Sequence, residues 1–131
     1  MPLWFRANVL AQRPDFINDC NCSLCEKSGG AWGYFDTASV EVSGQTQPYI
    51  RQDMESPAIA LHFCAKCGVT THWVLIKKPK RTPSASKTCG VNMNIFDCAD
   101  LAGVEIRFPE GRSWDGVGQY AYRKSPTIIG E

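Results

Sequence analysis

Ala58-Ile59-Ala60-Leu61-His62-Phe63-Cys64-Ala65-Lys66-Cys67-Gly68-Val69-Thr70-Thr71-His72-Trp73-Val74-Leu75-Ile76 decides the fold class. Ala58 to Phe63 is a short apolar run behind the turn signal Ser56-Pro57, and Val69 to Ile76 is rich in β-branched residues. Both have strand length, and neither carries a helical period. Cys64-Ala65-Lys66-Cys67-Gly68 lies between them in the form of a zinc knuckle. Two intervening residues let both sulfurs reach one tetrahedral ion at ~2.3 Å, and glycine supplies the backbone freedom that such tight turns favour.

The same texture extends in both directions. Leu3 to Leu10, Ala31 to Phe35, Ser39 to Val42 and Gln47 to Arg51 read as strands, punctuated by Asp36, Ser43-Gly44 and Ser56-Pro57. Val91, Met93 and Ile95 alternate with Asn92 and Asn94, which predicts one buried face and one face carrying two amides. Val104, Ile106 and Phe108 alternate with Glu105 and Arg107, the clearest half-buried strand of the chain. Helical structure is expected only as single turns at Ser23 to Lys27 and Asp97 to Leu101. Short strands recurring at intervals of roughly ten residues predict an all-β domain.

A length of 131 residues fits a single domain. Its 14 basic and 13 acidic side chains leave a net charge of +1, which gives no reason to expect a nucleic acid partner or a polybasic membrane anchor. No apolar run approaches the roughly 20 residues that cross a bilayer. The start, Met-Pro-Leu-Trp-Phe-Arg, has a charge where a signal peptide needs its apolar stretch. The expectation is a soluble cytoplasmic protein, with a homo-oligomer left open. The basic stretch Lys77 to Lys87, with Lys77, Lys78 and Arg81, reads as a solvated loop, or as an electropositive rim for anionic groups.

Cysteine carries the chemistry. Seven residues, an odd number, fall as Cys20-x-Cys22-x-x-Cys25 and Cys64-x-x-Cys67, with Cys89 and Cys98 apart. A secreted disulfide scaffold would favour an even count. Close-spaced thiols in a reducing compartment serve more often as metal ligands or redox groups. The two Cys-x-x-Cys pairs match a four-cysteine ribbon, although the 38 residues separating them exceed the usual gap of about 15–20. Cys20 is surplus to that ribbon. Three thiolates within six residues surround one zinc on three sides and leave its fourth position for a ligand. The alternative is a closed site, completed from elsewhere in the fold. A thiolate-rich zinc is a poor generator of hydroxide and a good captor of another thiol. A disulfide oxidoreductase would want its motif at a helix start in a βαβ setting, which is missing, and no local signature supports a cysteine–histidine nucleophile. His62 and His72 are placed to complete a zinc site or to serve as hydrogen-bonded strand residues. Cys89 and Cys98 read as small buried hydrophobes, and Trp32, Tyr34, Phe35 and Trp73 as core or pocket wall.

Cys20-Asn-Cys22-Ser-Leu-Cys25, Ser28-Gly-Gly-Ala-Trp-Gly-Tyr-Phe35 and His62-Phe-Cys64-Ala-Lys-Cys67-Gly68, in this order, resemble the glutathione-dependent formaldehyde-activating enzyme family, which includes centromere protein V. Thr71-His-Trp73, Gly90-Val-Asn92 and Trp114-Asp-Gly116 look like later landmarks of one bacterial branch, so the resemblance covers about Ala7 to Gly116. It implies a zinc-stapled fold of several small antiparallel sheets, shared with methionine sulfoxide reductase B and the Rab-binding chaperone-like proteins. It also implies a catalytic zinc on Cys20, Cys22 and Cys25, and half of a structural zinc site at Cys64 and Cys67. The implied reaction is addition of the glutathione thiol to formaldehyde, a carbon–sulfur lyase reaction when written backwards. The family completes its structural zinc with a Cys-x-Cys on the first strand, whereas Met1 to Asp19 contains no cysteine. One shared or reduced site is therefore expected in place of two complete ones.

Two functions follow from these readings. One is a zinc enzyme acting on glutathione or another small-thiol adduct, with Asn92, Asn94, Lys77, Lys78 and Arg81 as candidate substrate contacts. The other is a zinc-stabilised domain, either binding an acidic partner through its basic loop or having no ligand of its own.

Overall fold

The computed structural model describes residues 7–77, 87–115 and 118–131. The fold is mostly β, as the strand-length runs predict. Its elements are β1 (Asn8–Leu10), β2 (Phe16–Asn18), α1 (Ser23–Ser28), β3 (Trp32–Asp36), β4 (Glu41–Ser43), β5 (Thr46–Tyr49), β6 (Ile59–Cys64), β7 (Thr70–Leu75), β8 (Thr88–Asn92), β9 (Glu105–Pro109) and β10 (Tyr122–Ile128). They fall into two compact units that interleave along the chain: Met1–Gln12 with Tyr34–Val91, and Arg13–Gly33 with Asn92–Glu131.

In the first unit β1 pairs antiparallel with β4 through Val9↔Val42, and β5, β6, β7 and β8 form an antiparallel meander. The knuckle Cys64–Gly68 turns the chain between β6 and β7. The Gly68 N–H closes on the Cys64 carbonyl at 2.9 Å, and Gly68 takes φ +76°, a left-handed conformation that side chains disfavour. Ala60, Leu61, Cys64, Cys89 and Val91 form the buried apolar set, together with Thr71 and His72. His62 and His72 are cross-strand neighbours whose rings stack at 4.6 Å and 16°. The Thr71 hydroxyl donates to the His62 carbonyl at 3.2 Å. Its single proton being used there, its oxygen accepts the His72 Nδ1 proton at 2.9 Å. Both histidines serve here as hydrogen-bonded strand residues.

In the second unit β2 lies between β9 and β3. It runs parallel to β9 (Phe16↔Glu105) and antiparallel to β3 (Asn18↔Trp32), while β10 pairs antiparallel with β9. Ile17, Ala31, Trp32, Met93, Leu101, Val104 and Phe108 are buried there. The alternation through Ile95 ends earlier than its pattern predicts. After Asn92 the chain winds into a 3₁₀ turn, Met93–Ile95, because the Asn92 Oδ1 accepts the Asn94 N–H and draws the backbone out of the extended state. Two strands carried no readable signal. β2 has only three residues, and β10 is an exposed edge strand with charges and Pro126, so neither shows alternation. Among the described residues no helix is long and apolar enough to cross a membrane.

Burial, reinforced by the His62 charge, holds the His72 imidazole down at about 4. The unfolded chain, with an ordinary imidazole, therefore binds its proton first as pH falls. This contribution to stability is complete above about pH 6.5 and is lost as pH falls toward 4, by at most about 3 kcal/mol. Urea midpoints for the wild type should drop across that window, and His72→Gln should flatten the drop. Equal slopes for the two proteins would contradict this assignment.

Candidate metal centre

Cys20, Cys22 and Cys25 are brought together by the start of α1. Cys22 occupies the N-cap with extended dihedrals (φ −60°, ψ 155°), and its sulfur accepts the Cys25 N–H at 3.4 Å, in the manner of a capping serine. The Glu26 N–H closes the first helical turn on the Cys22 carbonyl at 2.9 Å. N-cap and third helical position face each other across that turn, which sets the Cys22 and Cys25 sulfurs 3.0 Å apart. The residue before the cap but one curls back, so that the Cys20 sulfur accepts the Cys22 N–H at 3.4 Å. All three sulfurs lie within 4.8 Å of one another, and each residue is half-buried.

This donor set fits a soft divalent ion. Tetrahedral bonds of ~2.3 Å place sulfurs ~3.8 Å apart, so the Cys22–Cys25 pair has to open by under an ångström. Hydrogen bonds, from Cys20 first and then Cys25, hold the Cys22 thiol far below its usual range. The hydrogen bond to Cys22 pushes Cys20 up, and bonds to Cys20 and Cys22 together with burial push Cys25 up. Sulfurs that carry protons release them as they bind a cation.

Three neighbours fix the sulfurs. Asn21, between the first two cysteines, holds the 110–112 turn against them. Its Oδ1 accepts the N–H groups of Gly111 (2.8 Å) and Arg112 (3.1 Å), and its Nδ2 donates to Glu110 Oε2 (2.9 Å). The Arg112–Glu26 ion pair at 2.9 Å is exposed on both sides and adds little to this strap. Gly111 then lies so close that a Cβ there would sit 2.2 Å from the Cys20 sulfur and 3.1 Å from the Cys22 Cβ. The third neighbour is Trp32, whose indole N–H donates to the Cys25 sulfur at 3.3 Å.

Among the described residues no further Cys, His, Asp or Glu joins this group, and it is the one cluster of three or more such ligand atoms. Cys64 and Cys67 belong to the other unit. The Cys64 sulfur is buried and accepts N–H groups of Ala7 (3.2 Å) and Lys66 (3.4 Å), whereas Cys67 is exposed. The Ala7 N–H is the main reason the Cys64 thiol is held down at about 7. Cys89 is buried, as a small hydrophobe should be, and burial, followed by the Asp36 charge, pushes its thiol up. Cys98 departs from that expectation and is exposed on its 3₁₀ turn.

Both candidate amides are bonded within the second unit. Buried Asn92 accepts the N–H groups of Ala31 (3.2 Å) and Asn94 (3.1 Å), and Asn94 Nδ2 donates to the Gly29 carbonyl at 2.8 Å. Lys77 is exposed, while Lys78 and Arg81 lie outside the described residues. Sequence reasoning passed over Asn21, Gly30 and Gly111. Asn21 could have been found as the residue between two ligands, but Gly111 is distant in sequence and carries no side chain to read.

Comparison with family models and with curated proteins finds no match. Among solved structures, a structural-genomics crystal structure of a Rhodobacter sphaeroides protein is similar to this chain. It is 22% identical, with 76% of this chain and 86% of that one covered and a TM-score of 0.49.

Gly111→Ala tests the strap. Its methyl group must drive the turn or the Cys20 sulfur away, so zinc affinity measured against a chromophoric chelator should fall roughly 10–100-fold. Unchanged affinity would mean that the Cys20 sulfur is not a ligand.

Proposed function

We propose that this protein is a zinc-dependent carbon–sulfur lyase-type enzyme, acting on the adduct of glutathione or another small thiol with an aldehyde such as formaldehyde. The observation that carries the proposal is the group of three cysteine sulfurs, which no fourth protein ligand joins among the described residues. A zinc ion there would have three thiolates and one position for a ligand, the pattern of a reactive rather than a closed site. When bound, zinc supplies a Lewis acid that keeps a fourth sulfur ionised near neutral pH.

The chain's own residues do the rest. Cys20, Cys22 and Cys25 hold the ion, the Asn21 strap fixes the Cys20 sulfur, and the Trp32 indole holds Cys25. In the reaction the thiol sulfur bonds to the aldehyde carbon, the C=O π pair moves to oxygen, and the thiol proton ends on that oxygen. Nothing is oxidised or reduced, and reversal breaks the same carbon–sulfur bond. The cysteine motifs, whose order resembles that of the formaldehyde-activating enzymes, favour this reading, and that resemblance is the source of the substrate class.

Cobalt substitution tests the open position. Glutathione titrated into the cobalt protein should add saturable sulfur-to-cobalt absorption, and the zinc protein should accelerate exchange between free and hydroxymethyl glutathione in NMR exchange spectra. Cys22→Ser should abolish both effects. A spectrum already showing four sulfurs and indifferent to glutathione would make the site a staple, and a binding role would then be the better reading.

A further inference from the structure

Resting on the metal-centre reading, we propose that Trp32 is a positioning residue for the thiolate centre: its indole N–H holds the Cys25 sulfur and keeps charge on it, leaving the ion free to take a fourth ligand.

Two independent features carry this assignment. First, Trp32 is 2% exposed, and its indole N–H ends on the Cys25 sulfur at 3.3 Å. A buried indole N–H needs an acceptor, and a thiolate is a better one than a thiol. Cys25 therefore enters the site with a fixed side-chain donor from outside the cysteine group already aimed at its sulfur. Second, the approach is built into the backbone. A Cβ at Gly30 would fall 2.1 Å from Trp32 Cζ2 and 2.6 Å from Cε2, so the ring is pressed against the chain two residues before it. The Gly30 N–H donates to the Cys25 carbonyl at 3.1 Å, and the Ser28 hydroxyl donates to the same carbonyl at 3.2 Å. Cys25 is thus clamped at its main chain by Ser28 and Gly30 and at its sulfur by Trp32.

The chemical consequence concerns charge. Three thiolates donate heavily to a divalent ion and weaken its hold on a further ligand. A hydrogen bond to one of them keeps part of that charge on the sulfur side, as donors around metal ligands do generally. It also makes Cys25 the thiolate least open to electrophiles, which matters if an aldehyde is brought to the site.

The test uses the cobalt-loaded protein in three forms: wild type, Trp32→Phe, and a variant carrying benzothienylalanine at position 32. The last keeps the bicyclic shape and replaces the N–H with sulfur. Loss of the donor should move the sulfur-to-cobalt charge-transfer band to lower energy in both variants. It should also raise the rate at which iodoacetamide modifies Cys25 in the loaded protein severalfold. A band and an alkylation rate that stay at wild-type values in the benzothienylalanine protein would reduce Trp32 to packing and overturn the proposal. A wild-type protein that binds cobalt with no cysteine-dependent band would overturn the metal-centre reading and this inference with it, a result distinguishable from the first because it appears before any substitution.

Discussion

The first turn of a six-residue helix sets the geometry on which the candidate site depends. So short a helix has little stability of its own, and none of its residues is fully buried. It persists because its ends are tied: Cys22 caps it as a serine would, and Ser28 and Gly30 hold the Cys25 carbonyl at its far end. The hydrogen bonds that stabilise the turn are also those that gather the sulfurs. Fold and chemistry therefore draw on the same few atoms, and zinc, by replacing thiol protons, would lock the arrangement further.

The second constraint is space. Gly111 and Gly30 are each placed where a methyl group would strike, one against the Cys20 sulfur and the other against the indole that reaches Cys25. These glycines act through what they lack. Gly30 comes from the residues between α1 and β3, next to the cysteines in sequence, whereas Gly111 comes from the segment that follows β9, which β2 joins to β3 in one sheet.

Much of the fold was legible in the sequence. Strand-length apolar runs predicted β3, β6, β7 and β9 to within a residue or two, because burial on at least one face leaves a pattern. β10 pairs through its backbone while its side chains face water, so nothing in composition marks it. The continuation of β8 through Ile95 was misread because one buried side-chain oxygen, Asn92 Oδ1, outweighs the alternation around it. In the candidate site the grouping of Cys20, Cys22 and Cys25 was legible from their spacing, whereas Cys64 and Cys67 do not join it. The groups that orient them were not, because Asn21, Trp32 and Gly111 act through contacts that only the folded chain makes.

X-ray absorption at the zinc edge, on protein loaded with one equivalent of zinc and no added thiol, tests the central claim most directly. Three sulfurs at ~2.3 Å and one lighter neighbour are predicted, becoming four sulfurs when glutathione is added. Four sulfurs from the outset, or three that survive substitution of Cys20, Cys22 and Cys25 by serine, would contradict the account.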